Sequence, residues 1–211
     1  MSRLDKLNTF EKIPINLPGK EIFSRLKYNM HKTALDDDVL KRVISKMQEA
    51  FSFCEPKGAW IRVKIADRTD NSVIFENGIS IKSESVKELL KKSDSALFLF
   101  ATTGSRIIEL IDDSFKKGDS SGSVIYDAVA SETAEAAIEW LTGYIRRELT
   151  RNAQSLTKMR FSPGYGDFLL ENQKYFFDLL NMKDFGVSLN EKYIFSPEKT
   201  VTALIGIIGN E

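Results

Sequence analysis

The stretch Met159-Arg160-Phe161-Ser162-Pro163-Gly164-Tyr165-Gly166-Asp167 gathers the residue types best suited to chemistry in this chain. Arg160 brings a planar, permanently charged fork whose shape matches a carboxylate. Ser162-Pro163-Gly164 is a turn, and a turn exposes backbone N–H and C=O groups that no helix or sheet uses. Tyr165 adds a flat ring with a polar tip. These groups suit a small zwitterionic ligand that carries a planar base. A structural loop with an exposed arginine would use the same residues, and local chemistry alone leaves the two readings level.

Scarce residue types exclude other chemistry. His31 is the only histidine and Cys54 the only cysteine, so a four-ligand Cys/His zinc site is out of reach. A Ser-His-Asp triad would have to use His31, which sits in the polar run Asn29-Met30-His31-Lys32-Thr33 with no identifiable partner. Neither a GxxxxGK[ST] phosphate loop nor a GxGxxG fingerprint occurs. No catalytic side chain and no metal ligand set is therefore assigned.

The 211 residues suit one domain, and 42% hydrophobic content supplies a core. A formal net charge of zero gives no pull toward nucleic acid or an anionic membrane. No apolar run is long enough to span a bilayer. Met1-Ser2-Arg3-Leu4-Asp5-Lys6 lacks the apolar stretch of a secretory signal, and one cysteine forms no internal disulfide. A cytoplasmic location is the default expectation.

Several elements must hold the arginine loop in place. Residues Pro18 to Phe53 predict two helices, the second following Asp36-Asp37-Asp38, whose carboxylates favour a helix start. Trp60 to Ile65 and Ser72 to Phe75 predict strands, the latter closed by the turn Asn77-Gly78. Ser85 to Lys91 predicts a short helix. Ala96 to Ala101 is a continuous apolar run, as in a strand buried on both faces. The turn Thr102-Thr103-Gly104-Ser105 leads into a helix with Ile107, Ile108, Ile111 and Phe115 on one face, and Ser105 is expected as its cap rather than as an anion site. Gly118 to Gly122 reads as a flexible break. Val124 to Asn152 predicts a long helix whose buried stripe is Ala134, Ala137, Ile138, Leu141 and Ile145. Glu135 falls at the margin of that stripe and Glu139 further toward solvent. After the loop, Leu169, Gln173, Phe176 and Leu180 mark a helix with Asp167 as its N-cap. Val187 to Leu189 and Val201 to Ile205 predict the last strands. Helices and strands without regular βαβ alternation predict an α+β fold, one mixed domain over residues 1–211 with a mainly antiparallel sheet flanked by helices.

Four segments, taken in order and spacing, resemble the activation domain of cobalamin-dependent methionine synthase. Arg160, Gly164 and Tyr165 meet that family's Arg-x-x-x-Gly-Tyr fingerprint. Ala130 to Leu141, with Ala134-Glu135-Ala136, is similar to the helix that precedes it. Ala101-Thr102-Thr103-Gly104 is similar to a turn of compact members. Gly186-Val187-Ser188-Leu189-Asn190-Glu191, Pro197 and Lys199-Thr200-Val201-Thr202-Ala203 follow the pattern Gly-x-x-Leu-Thr-Glu … Pro … Ser-Val-Ser, with Asn190, Thr200 and Thr202 as polar replacements. The resemblance covers residues 95–209; residues 1–94 are assigned to the same unit by continuity.

The resemblance implies S-adenosylmethionine as cofactor, with Glu135, Arg160, Ser162, Pro163, Gly164 and Tyr165 as its binding residues. It implies Arg160 on the ligand carboxylate as a bidentate pair, Glu135 on a hydroxyl or near the positive charge, and the Gly164 backbone close to adenine. Tyr165 is expected against the ligand, facing the corrin of a docked partner. The family's N-terminal acidic contact has no clear counterpart; Asp36, Asp37 and Asp38 are candidates by position. A further tyrosine of larger members is expected to be absent or replaced, as the sequence stops at Glu211. No Asp-x-His-x-x-Gly corrin ligand motif and no cysteine cluster for zinc occur, so the chain is not a complete synthase by itself. The implied role is reductive methylation in trans of cobalamin carried by a methionine synthase lacking its own activation domain, with a flavodoxin-like electron donor. The alternative is a module that senses S-adenosylmethionine or docks on a corrinoid protein without methyl transfer.

Overall fold

A computed structural model of the chain describes residues 6–28 and 36–209. His31 and its polar run, Met1 to Asp5 and Glu211 lie outside the described residues. The element order is β1 (Asn8–Phe10), α1 (Gly19–Arg25), α2 (Asp37–Phe53), β2 (Lys57–Arg68), β3 (Ser72–Phe75), β4 (Ser80–Lys82), α3 (Glu84–Leu90), β5 (Ser95–Thr102), α4 (Arg106–Lys116), α5 (Ser120–Thr150), β6 (Gln154–Leu156), α6 (Gln173–Leu179), β7 (Ser188–Leu189), β8 (Phe195–Ser196) and β9 (Thr200–Gly209). Every named strand pair is antiparallel, so the predicted α+β class with an antiparallel sheet and flanking helices is the observed one.

The main sheet runs β4-β3-β2-β5-β9-β6, with β1 also pairing to β2. Strand β5 is its centre, paired along its whole length with β2 and β9 and buried at every residue. Side chains alternate across a strand, so β5 feeds two cores at once. Ala96, Phe98 and Phe100 pack toward α3 and α6, while Leu97, Leu99 and Ala101 pack toward α5. Phe98 meets Phe75 edge-on at 5.2 Å and lies 5.0 Å from Phe176. Burying one such ring stabilises the fold by about 2–3 kcal/mol. A third core sits between α1, α2, α4 and the first half of α5.

Helix α5 spans 31 residues and borders two of these cores. Its predicted stripe of Ala134, Ala137, Ile138, Leu141 and Ile145 is buried throughout. The expected flexible break before it is confined to the residues ahead of Ser120. Asp119 caps the helix by accepting from the Gly122 N–H at 2.9 Å, and its other oxygen holds Lys46 at 2.6 Å, tying α5 to α2. Tyr126 reinforces the tie by donating to Glu49 at 2.6 Å. Gly122 is buried, and a side chain there would run into that Asp119 carboxylate and the Lys46 ammonium.

Other local expectations are corrected. Phe115 is 69% exposed, as α4 ends beside the turn instead of running on along the core. Ser105 stands at the cap position of α4, but its side chain makes no cap hydrogen bond. Asp167 caps a helix other than the expected one: α6 is preceded by a 3-10 turn at Leu170–Asn172, and the Asp167 carboxylate reaches α3 instead. Leu169 is 56% exposed, outside the stripe formed by Gln173, Phe176 and Leu180. The short strands β1, β4, β6 and β8 carry too few residues to show a period.

Gly58 tests the closeness of the β2–β5 pairing. A methyl there would meet the Phe100 carbonyl oxygen and Leu141, and the carbonyl is fixed in the ladder. Gly58→Ala is expected to lower stability by about 1–3 kcal/mol, read as a lower urea midpoint with an unchanged m-value.

Candidate functional site

The segment after β6 runs along the edge of β9. Phe161 and Leu204 exchange two backbone hydrogen bonds, Phe161 N to Leu204 O at 3.0 Å and Leu204 N to Phe161 O at 2.7 Å. Neighbours in an extended segment point to opposite faces. Phe161 packs into the core under α3 and α6, and Arg160 therefore points across the edge toward α5. There its Nη2 donates to Glu135 Oε2 at 2.6 Å. Its Nη1 lies 3.6 Å from Glu139 Oε2, too far for a hydrogen bond, and is buried with no hydrogen-bond partner. Glu135 and Glu139 are one helical turn apart, so both sit beside the same guanidinium. As it stands, Glu135 occupies one prong of the fork that a bidentate carboxylate would need.

Beyond the bridge the chain turns sharply. Ser162 Oγ donates to the Thr202 carbonyl at 2.6 Å, which pins the turn to β9. The Gly164 N–H donates to Phe168 O at 2.7 Å, and Phe168 is fully buried below. Gly164 has φ +99°, a conformation that side-chain-bearing residues rarely adopt. Asp167 closes the loop. One oxygen accepts from Ser83 Oγ at 2.8 Å, the other from the Glu84 N–H at 2.6 Å and the Ser85 N–H at 3.3 Å. The hydroxyls of Ser85 and Ser83, then these amides, hold its carboxyl down at about 2. Tyr165 stands at the tip, 70% exposed.

These residues border a two-lobed cleft. The smaller lobe, about 220 Å³, is lined by Glu135, Arg160, Ser162, Pro163, Tyr165 and Gln173, with Thr200 to Thr202 at one side. The larger lobe, about 700 Å³, lies between α5 and the chain before α1, bordered by Asn16, Glu21, Glu132, Glu139, Trp140 and Arg147. Arg160 and Glu135 belong to both lobes and form the seam. Trp140 is held by Tyr144, stacked at 5.6 Å, and by Phe10, edge-on at 5.4 Å. Lys199 Nζ meets Asp127 at 2.5 Å and Ser131 Oγ at 3.1 Å, which fixes the start of β9 against α5.

Five of the six residues expected from sequence thus line one lobe, and Gly164 shapes the turn beside it. Asp36, Asp37 and Asp38 are not brought to either lobe; they open α2, where Asp36 accepts from the Asp38 N–H at 3.1 Å. The acids that do border the cleft are Glu21, Glu132, Glu135 and Glu139. Gln173 was hidden in an apolar helical stripe, although a lone amide in such a stripe is itself a signal. Cys54 plays no part: burial pushes its thiol up to about 12, against a lowering contact from Thr133.

By class, this is an antiparallel sheet backed by helices, with a polar cleft whose seam is a guanidinium held between a sheet edge and a long helix. The chain belongs to the family of the vitamin B12 dependent methionine synthase activation domain, which matches it over residues 81–208. That match takes in α3, α5, the arginine loop and nearly all of β9, and begins ahead of the expected residue 95. A solved structure, the MetH reactivation domain bound to AdoHcy, is similar over 97% of this chain and 79% of its own, with TM-score 0.70 and 14% identity. That likeness concerns the fold. No match is found among curated protein sequences. No helix of the described residues is long and apolar enough to cross a membrane.

The Asp167 anchor has a pH signature. Its folded pKa lies below the ordinary aspartate value near 4, so its contribution is complete above that value and fades as pH falls toward about 2. Asp167→Asn is expected to lower Tm at pH 7 and to flatten the Tm-against-pH curve between about pH 4 and pH 2. A calorimetric series across that range checks both.

Proposed function

We propose that this chain binds S-adenosylmethionine in the two-lobed cleft and serves, over residues 1–211, as a single activation unit for a cobalamin-dependent methionine synthase. The observation that carries this reading is the buried Nη1 of Arg160, a charged donor with no hydrogen-bond partner at the seam of the cleft. A buried unpaired donor is costly, and a ligand carboxylate removes that cost. Family membership supports the ligand, as does a fold relative solved with AdoHcy bound.

The cleft divides the ligand by chemistry. Its lobes straddle the usual size range for such sites, roughly 300–1,000 Å³, the smaller falling below it and the larger inside it. Arg160 Nη1, drawn off its 3.6 Å approach to Glu139, would hold the carboxylate, while Glu135 keeps Nη2 and fixes the plane of the guanidinium. Glu21 and Glu139, on the larger lobe, face the ammonium and sulfonium charges. The base lies in the smaller lobe, against the Ser162–Tyr165 turn. Tyr165, exposed at the rim, covers the ligand and faces the partner. The bound ligand supplies an already activated methyl group, which passes to the partner's reduced cobalamin and leaves the neutral thioether. This chain needs no general base for that transfer; its residues would hold the sulfonium in line. We place the unit in the cytoplasm, acting in trans on a synthase without its own activation domain, with a flavodoxin-like protein supplying the electron.

Arg160→Ala is expected to weaken S-adenosylmethionine binding by about tenfold or more, measured by calorimetry. Equal affinity in both proteins would remove the proposed site. In a reactivation assay with oxidised corrinoid-loaded synthase, reductant and S-adenosylmethionine, the wild-type chain is expected to yield the absorption of the methylated corrinoid. Binding without that product would mark a sensing or docking module instead.

A further inference from the structure

Two carboxylates face Arg160, and they hold it unequally. Glu135 Oε2 accepts from Nη2 at 2.6 Å, a charge-assisted hydrogen bond that anchors the guanidinium. Glu139 Oε2 stands 3.6 Å from Nη1, close enough to attract but too far for a hydrogen bond. Nη1 is nevertheless closed to solvent. A ligand carboxylate can reach it only after a group beside it has moved. Glu139 is the group free to move: its side chain is 65% exposed, and it makes no hydrogen bond and no other ion pair among the described residues. The neighbouring acids differ. Glu135 is tied to Nη2, Glu132 is held by Arg25, and Glu21 stands on another helix, α1. Glu135 and Glu139 are also like charges one helical turn apart, an arrangement that destabilises a helix unless a cation sits beside both.

We infer that Glu139 is a gate on Arg160 that only a zwitterion opens efficiently: it stands against Nη1 as a placeholder and passes to the ligand's ammonium when the ligand's carboxylate takes its place. This rests on the proposal that an S-adenosyl ligand occupies the cleft, and it makes the free amino group of that ligand a condition of tight binding. Two carboxylates already share one guanidinium. A third arriving alone would strip Glu139 of its cation and leave it beside a new like charge. An α-amino acid carries its ammonium on the carbon next to its carboxylate. The group that displaces Glu139 therefore delivers a cation within its reach, and every anion at the seam keeps a partner.

The test is calorimetric titration of the purified chain with S-adenosylhomocysteine and with its deaminated analogue, which keeps the carboxylate and lacks the ammonium. Both are uncharged at sulfur, so only the head group differs. The wild type is expected to prefer the amino acid by about tenfold or more. Glu139→Gln removes the competing charge and the ammonium's partner together. It is expected to bind S-adenosylhomocysteine about threefold more weakly and the deaminated analogue about threefold more tightly. A side chain that merely lined the cleft would not move the two affinities in opposite directions. Thermal denaturation confirms that the variant is folded. A wild type without the preference, or a folded Glu139→Gln protein that retains it, overturns the inference and leaves the ligand proposal standing. A wild-type chain that binds neither compound overturns both.

Discussion

The backbone bridge between Phe161 and Leu204 is the constraint on which the cleft depends. Two hydrogen bonds fix the register of an edge segment, and register decides which face each neighbour takes. With Phe161 in the aromatic core, Arg160 must lie across the edge, within reach of Glu135. A slip of one residue would drive the guanidinium among Phe98, Phe168 and Phe176, where an unpaired charge is very costly. The arginine's position is therefore set by the hydrophobic packing of its neighbour.

Helix α5 supplies the opposite wall, and its length matters. One half packs with α2 and α4, held by the Asp119 cap and Lys46; the other lies on the sheet under Leu97 and Leu99. Glu135 falls where the helix passes from the helical core to the sheet, at the edge of its buried stripe. An ion pair this exposed contributes little to stability, roughly 0–1 kcal/mol. Its consequence is geometric: it engages one prong of the guanidinium and leaves the other, 3.6 Å from Glu139, without a hydrogen-bond partner.

Much of this was legible in the sequence where a period or a composition was strong. The apolar run at Ala96 to Ala101 marks the central strand, and the stripe from Ala134 to Ile145 marks the long helix, because burial imposes those patterns locally. Arg160, Ser162, Pro163 and Tyr165 were legible as a cluster because they are close in the chain, whereas Glu135, at the margin of the stripe, was reached only through the resemblance of its helix to the family. What stayed hidden is pairing across distance. Asp167 looks like a cap for the helix that follows it, yet it caps α3, more than eighty positions earlier. Gln173 looks like one turn of an amphipathic helix until Thr202 is brought beside it. The run Asp36 to Asp38 draws the eye as an acidic cluster, but its charges serve the start of α2. No local window carries such partnerships, because they arise only when the sheet assembles.

The main-chain nature of the loop's attachments bears on how this architecture can vary. Phe161 is joined to Leu204, and Gly164 to Phe168, by peptide groups alone, and every amino acid but proline can supply such a donor. Side chains at the turn that make no tie of their own are thus free to drift while the path of the chain stays put; Ser162, Gly164 and Asp167 are the exceptions. The shape shared with a relative at 14% identity and TM-score 0.70 is what such a scaffold permits.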